Sequence, residues 1–310
     1  MEKPRVTVMG SFIVDLMARA PHLPGTGETV KGHGFLIGPG GKGSNQGVAA
    51  CRAGADVDMV TRIGTDYFGQ LALESFAREG MHTRFVTKDG ELGTGTALIM
   101  VDDTTGENKI LVAPGACSNI TEADIENARP AIEANPVFLT QLETNLDATE
   151  KAVGIAAAAG AKIILNPAPV SEVPDALLGL VDILTPNEVE ASMLSGIDVR
   201  HPDDAIAAAV ALMKRGARNV IITLGGRGLL AATEAGGRFI PALGVEAVDT
   251  TGAGDAFNGA LATAIAEGKG FFEAAEFASV AAGLSVTRIG TAPAMPSRKE
   301  IDRAIPGLRG

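Results

Sequence analysis

The chain has 310 residues, 46% of them hydrophobic, and 37 acidic against 26 basic side chains give a net charge of −11. That length and apolar content suit one large α/β domain with an appendage, and an acidic chain without a basic block is a poor partner for nucleic acid or a membrane surface. Two cysteines without C-x-x-C spacing, Cys51 and Cys117, point neither to a disulfide framework nor to a zinc site, and suit a reducing cytoplasm.

The N-terminus leads through Arg5 to Gly10 as a buried strand, not a signal peptide. Ser11 to Asp15 follows, leaving a carboxylate just beyond that strand. No segment approaches the ~20 uncharged apolar residues of a membrane helix. Glu28 to Gly38, with weak alternation, predicts a short pair of strands away from the main core. After a glycine-rich segment comes a helix through Val48, Ala49, Cys51 and Arg52, then a strand (Asp58 to Ile63) and a helix (Tyr67 to Arg78). Thr94 to Asp102 alternates like a half-exposed strand, and Ile110 to Ala113 is another short one. The strands near 11–38 and 94–112 together predict a small sheet standing off the main body, in a position to serve as a lid.

From Ile120 onward, apolar strands alternate with helices. The strands are predicted at Val137 to Leu142, Lys162 to Asn166, Asp182 to Thr185, Asn219 to Leu224 and Leu229 to Thr233. The helices lie at Thr121 to Ala134, Leu146 to Ala159, near Asp175 to Leu180, near Asn187 to Leu194 and at Asp203 to Arg215. The last two run Asp255 to Glu267 and Phe271 to Leu284. Such alternation predicts a mostly parallel sheet covered on both faces, with ligands beyond the strand C-termini. Asp15, Glu143, Asn166, Asn187 and Gly225 fall on that rim. No internal repeat or linker breaks residues 1–310, which read as a single domain.

Two segments carry chemistry. In Asp249-Thr250-Thr251-Gly252-Ala253-Gly254-Asp255, a glycine turn opens into a helix whose apolar residues, Phe257, Ala260, Leu261, Ala264 and Ile265, recur at helical spacing. A helix start has unpaired N–H groups and a positive dipole end, which attract anions. Asp255 at the mouth of such a site would repel phosphate unless it had work there, such as taking a proton from an attacking hydroxyl. The plainer reading is a helix-start Asp after an ordinary turn. The second segment, Gly38 to Gln46, matches G-x-G-x-x-G literally. It lacks a preceding buried first strand and a downstream acid, and Lys42 is followed by Gly43, so it is not a Walker loop. It is either a glycine turn capping the next helix or a backbone surface for a polyhydroxy substrate, with donors from Lys42 and Asn45.

These segments together resemble the ribokinase family of carbohydrate kinases, the pfkB group. The resemblance runs along essentially the whole chain: Gly40-Gly41-Lys42-Gly43-Ser44-Asn45-Gln46, Asn166-Pro167-Ala168-Pro169, Thr185-Pro186-Asn187-Glu188-Val189-Glu190, Thr223-Leu224-Gly225-Gly226-Arg227-Gly228 and Asp249 to Asp255. It implies a ribokinase-like fold with a small β-sheet lid, and ATP-dependent phosphorylation of the primary hydroxyl of a pentose, ribose or 2-deoxyribose. By resemblance Asp255 is the base, and the amides of Gly252, Ala253 and Gly254 neutralise the transferring phosphoryl group. Ile13, Asp15, Gly41, Lys42, Gly43, Asn45 and Glu143 stand at the sugar site. Asn187, Thr223, Gly225, Gly228, Gly254, Ser279 and Ala282 stand at the ATP site.

Asn187 and Glu190, one helical turn apart, look like the family element that positions Mg²⁺ through water; the plainer reading is an N-cap with a surface acid. The resemblance also implies activation by K⁺, held by Asp249, Thr251, Ser285, Arg288 and Gly290, although position 294 is Ala where ribokinase often offers a hydroxyl. A further departure is Ile13, where ribokinase carries Asn two residues before the sugar-binding Asp; an aliphatic side chain cannot bond a sugar hydroxyl. Partners expected by resemblance are ATP, a small sugar and a second copy joined through the lid.

Three other readings compete. A nucleoside kinase of the same fold would want stacking partners, and the chain has no Trp, one Tyr and 4% aromatics. A silent sugar sensor would not need Asp255, and a nicotinamide enzyme rests on the glycine match alone.

Overall fold

The computed structural model describes residues 3–170 and 172–308. Strands whose every residue is buried, such as Val137–Thr140, must be flanked and covered on all sides. In chain order the strands are β1 (Arg5–Met9), β2 (Ile13–Ala20), β3 (Gly34–Gly40), β4 (Asp56–Gly64), β5 (His82–Asp89), β6 (Gly95–Asp102), β7 (Asn108–Ala113), β8 (Val137–Thr140), β9 (Lys162–Leu165), β10 (Ile183–Leu184), β11 (Asn219–Thr223), β12 (Leu229–Thr233) and β13 (Gly236–Ile240). The helices are α1 (Lys42–Ala53), α2 (Tyr67–Glu79), α3 (Glu122–Ala134), α4 (Leu146–Ala158), α5 (Asp175–Leu178), α6 (Glu188–Ser195), α7 (Pro202–Lys214), α8 (Ala253–Ala266), α9 (Phe271–Ser285) and α10 (Arg298–Leu308).

The main sheet has nine strands in the order β13-β12-β11-β10-β9-β8-β1-β4-β5, parallel except for the antiparallel edge β12-β13. Each face has its own core. Phe76, Phe257, Phe277 and Leu261 pack on one face, under α1, α2, α8 and α9. Ile125, Ile132, Val153 and Leu212 pack on the other, under α3, α4 and α7. Among the described residues no helix is long and apolar enough to cross a membrane.

The small sheet is separate, with the order β3-β2-β6-β7. Its central pair is parallel, with Asp15 opposite Ala97 and Leu16 opposite Leu98. Alternation puts Ile13, Asp15 and Ala97 on one face. Leu16, Phe35, Ile37, Leu98 and Leu111 share the other.

Several expectations need correction. Asp15 follows β1 but lies inside a strand, β2, the first of the small-sheet strands expected from about residue 11. Glu28 to Gly38 is not a pair of strands: β3 alone falls there, paired with β2. Helix α1 starts at Lys42 and α8 at Ala253, each two or more residues earlier than periodicity indicated, because polar and glycine residues in a first turn mask the apolar period. Three elements were not foreseen. Strands β5 and β13 are edge strands whose polar and glycine residues hide the pattern. Helix α10, which follows the two helices read as last, contains Pro306 and buries only Ile301 and Leu308.

Candidate active site

Helix α8 starts where Gly252 adopts a left-handed φ of 77°, a conformation costly for residues with a Cβ. The first-turn amides have no acceptor within the helix, and Ala253 and Gly254 line a cavity of about 180 Å³. Asp255, in that same turn and buried, lines it too. Helix α1 packs directly along α8. It brings Asn45 Nδ2 to 3.1 Å from Asp255 Oδ2, and Gln46 Nε2 to 3.0 Å from Asp255 Oδ1. Burial pushes the Asp255 carboxyl up; the Lys42 charge and the two side-chain amides pull it back.

Beside Asp255 lies a second acidic group. Glu143, after β8, accepts hydrogen bonds from the Ser11 hydroxyl and, at 2.8 Å, from the Lys42 backbone N–H. Asp15 on β2 has its carboxyl pushed up to about 6, by burial first and then by the Glu143 charge. The Oδ1 atom of Asn45 is buried with no hydrogen-bond partner among the described residues, and an acceptor in that state calls for a donor. Two carboxylates, an unsatisfied amide oxygen and Asp255 converge from four elements, which suits a ligand carrying several hydroxyl groups.

On the other side of Asp255 the 180 Å³ cavity is lined by Lys42, Asn166, Thr185, Asn187, Glu190, Thr223 and Asn258. It adjoins a cavity of about 610 Å³ that shares Asn187, Thr223, Ala253 and Gly254. Gly225, Gly228, Ser279 and Ala282 line the larger space, together with Leu243, Val245, Ala247 and Val286. A helix start at one end and an apolar slot at the other match a phosphate chain joined to a flat base.

Asn187 and Glu190 form a reciprocal cap, with Glu190 N–H donating to Asn187 Oδ1 at 2.8 Å and Asn187 N–H to Glu190 Oε2 at 2.9 Å. Burial raises the Glu190 carboxyl against the Asn187 amide and Lys42. A carboxylate facing the cavity floor is compatible with a hydrated divalent cation. Asp249 is gripped by two amides, Thr251 N–H on Oδ1 and Gly290 N–H on Oδ2, both at 2.9 Å. Burial works against its charge, but the Thr251 side chain and these two amides hold its carboxyl below the usual range. The loop it bridges supplies main-chain carbonyls, a donor set compatible with a monovalent ion. At the end of α9 Ser285 Oγ donates to the Ala282 carbonyl; beyond it the Arg288 guanidinium pairs with Glu300, and Ala294 offers no side-chain oxygen.

Not every residue picked from the sequence reaches a cavity. Gly43 is buried against the backbone of Gly10. Ile13 packs with Ala97, Ile99 and Cys117 next to Asp15. Lys42 touches Glu143 through its backbone, while it also lines the smaller cavity with Asn187 and Glu190. Sequence reasoning missed Ser11, Gln141, Thr185 and Asn258, and the loop from Leu243 to Ala247. The polar residues that end apolar strands, Gln141 and Thr185, carried a readable signal; the loop carried none.

Residues 3–298 match the pfkB family of carbohydrate kinases. The chain is 40% identical over 295 residues to ribokinase of Haemophilus influenzae, covering 95% of this chain and 96% of that one. It is 34% identical over 298 residues to deoxyribokinase of Salmonella typhi, covering 96% and 97%. The fold superposes on ribokinase of Arabidopsis thaliana, solved with ribose and ATP, with a TM-score of 0.91 at 30% identity, over 98% of this chain and 99% of that one. The chain belongs to the pfkB family of carbohydrate kinases, and is a phosphotransferase acting on a sugar alcohol group.

Proposed function

We propose that this kinase transfers the γ-phosphoryl group of ATP to the primary hydroxyl of a pentose, ribose or 2-deoxyribose, with Asp255 as general base. The observation that carries this reading is the position of Asp255, between a hydroxyl-binding cluster and a helix start that opens on an elongated two-part cavity. The hydroxyl oxygen attacks the γ-phosphorus while its proton passes to Asp255. The bond from the γ-phosphorus to the bridging oxygen breaks, and ADP leaves. Asp15, Asn45 and Glu143 orient the sugar, and the amides of Gly252, Ala253 and Gly254 face the charge on the transferring group. Thr223, Gly225 and Gly228 cradle the phosphates and ribose of ATP, and Ser279 and Ala282 border its base. Asn187 and Glu190 would hold Mg²⁺ through water, which would supply charge neutralisation on the phosphates, and Asp249, Thr251, Ser285, Arg288 and Gly290 would hold K⁺, which would support the α8 turn electrostatically.

The small sheet, with Asp15 on its inner face, serves as the lid of the domain. Its outer face exposes Phe35, Ile37, Leu98 and Leu111, and a second copy covers it. Two unpaired cysteines suit a reducing cytoplasm.

The test is ADP release from ATP and Mg²⁺ across pentoses, 2-deoxyribose, hexoses and nucleosides, for wild type and Asp255→Asn. Pentoses should be the best acceptors, and the variant should lose ~10²–10⁴-fold in kcat with ATP affinity nearly kept. Near-normal turnover by Asp255→Asn would remove Asp255 as the base, and a nucleoside preference would remove the pentose.

A further inference from the structure

Around Asp255 lies a set of buried amides and one hydroxyl that the reaction scheme leaves unused: Asn166, Thr185 and Asn258 line the smaller cavity, and Gln46 and Gln141 lie behind them, lining neither. Gln46 and Gln141 are fully buried, and Asn166, Thr185 and Asn258 nearly so. Gln46 lines neither cavity, so any effect it has on the reaction acts through another residue.

The amides can be arranged in only one sense. Gln141 Nε2 donates to Gln46 Oε1 at 2.6 Å. With its oxygen engaged, Gln46 presents only hydrogens on its other side, and these reach Asp255 Oδ1 at 3.0 Å and Asn166 Oδ1 at 3.1 Å. Asn166 is held the right way round because its Nδ2 donates to the Thr185 carbonyl at 3.2 Å. Thr185 Oγ1 lies 2.6 Å from Asn258 Oδ1, and Asn258 Nδ2 donates to the Gly254 carbonyl at 2.8 Å, closing the set onto the α8 turn. Flipping any one amide would set like groups against each other. The order Gln141 to Gln46 to Asp255 is therefore directional, and in a dry setting each bond strengthens the next.

Resting on the reading of Asp255 as general base, we propose that Gln46, locked by Gln141, is a positioning residue that holds Asp255 Oδ1 and leaves Oδ2, beside Asn45, to receive the proton of the sugar hydroxyl. The geometry supplies what a buried base needs: a fixed carboxylate plane and a permanent donor on the oxygen that does not react. Three charged groups also face Asp255: Lys42 from α1, Glu143 from the segment after β8 and Glu190 from α6. Burial disfavours the ionised carboxylate most; Lys42 favours it, the Gln46 and Asn45 amides add to that, and the acids oppose it, so losing the Gln46 donor makes Asp255 a weaker acceptor.

The experiment measures kcat against pH at saturating sugar and ATP for wild type, Gln46→Leu, Gln141→Leu and Asp255→Asn, with melting curves for each. Saturation removes the titration of the sugar-free site from the profile. Gln46→Leu should move the acid limb of kcat up by about one to two pH units, the loss expected for one hydrogen bond to a charged acceptor. Its activity should then recover in mild alkali, with KM for ATP unchanged. Gln141→Leu keeps Gln46 and removes only its lock, so it should shift the limb in the same direction by less, which keeps the test decisive even where Gln46→Leu folds poorly. An acid limb that stays in place in Gln141→Leu and in any folded Gln46→Leu, or a loss that is equal at every pH, overturns the proposal. Should Asp255→Asn be inactive while both glutamine variants keep the wild-type profile, the positioning role falls alone. Should Asp255→Asn turn over normally, the base and its positioning residue fall together.

Discussion

Gly259 on α8 lies so close to α1 that a Cβ in its place would stand 2.4 Å from the Gln46 carbonyl oxygen and 2.5 Å from Ala49 Cβ. This contact is what lets Asn45 and Gln46 reach Asp255, one turn earlier on the same helix. Gly259→Ala should force the helices apart, cost about 1–3 kcal/mol of stability, and lower kcat with little change in KM for ATP. Thermal melting and steady-state kinetics check this. A destabilised variant with unchanged kcat would show that the helix spacing does not govern the chemistry.

Asp15 predicts a pH dependence confined to one substrate. Its carboxyl stands at about 6 in the fold against 3.8 ordinarily, raised by burial and then by Glu143. Folding thus favours the neutral form: the stability from this group is present below about pH 4 and lost as pH rises through about 6. Sugar binding runs the other way, because the ionised carboxylate accepts more hydroxyl hydrogen bonds. KM for the sugar should rise as pH falls below about 6 while KM for ATP stays level. Asp15→Asn should raise the sugar KM at every pH and flatten its slope. Parallel trends for both substrates would take Asp15 off the sugar side.

Ile13 shares the inner face of the small sheet with Asp15 and is only 4% exposed. If the sugar seats against it, a ribose hydroxyl there loses its partner, at about 1–3 kcal/mol, or roughly 5- to 150-fold in specificity. A 2-deoxy sugar escapes that loss. Ile13→Asn should therefore shift the kcat/KM ratio toward ribose by about that factor. Ile13 also packs against Ala97 and Cys117, so the variant should melt at a lower temperature. A lower Tm with an unchanged ratio would make Ile13 a core residue alone.

The loop gripped by Asp249 predicts a cation response. Replacing K⁺ by tetramethylammonium at saturating Mg²⁺ and ATP should lower kcat. Asp249→Ala should lower it in K⁺ and abolish the difference between the two salts. Indifference of the wild type to the exchange would leave the bonds from Thr251 and Gly290 as purely structural.

The outer face of the small sheet predicts self-association. Phe35 is 62% and Leu111 66% exposed, and Ile37 and Leu98 lie beside them. Sedimentation should give a dimer, and Leu98→Asp with Leu111→Asp should give a monomer of near-normal Tm. A wild type that remains monomeric at high concentration removes the second copy.

How legible the molecule was from its chain follows from the range of each interaction. The buried strands Val137–Thr140 and Asn219–Thr223 and the helices between them announce themselves because burial on both faces demands unbroken apolar runs. The turn at Gly252 and the cap joining Asn187 to Glu190 were visible because their partners lie within a few residues. Edge elements were not: β5, β13 and α10 bury too little apolar surface to impose a period.

Local chemistry written into the sequence determined the parallel α/β body, the small sheet, and the glycine turn with an acid at its mouth. Tertiary structure alone decided which groups face that acid. Gln46 and Asp255 are 209 positions apart, and Lys42 and Glu143 are 101 apart. No pattern in either segment names the other. Side-chain hydrogen bonds act over about 3 Å, and only the packing of α1 on α8 and the strand order of the main sheet bring such distant groups within that reach.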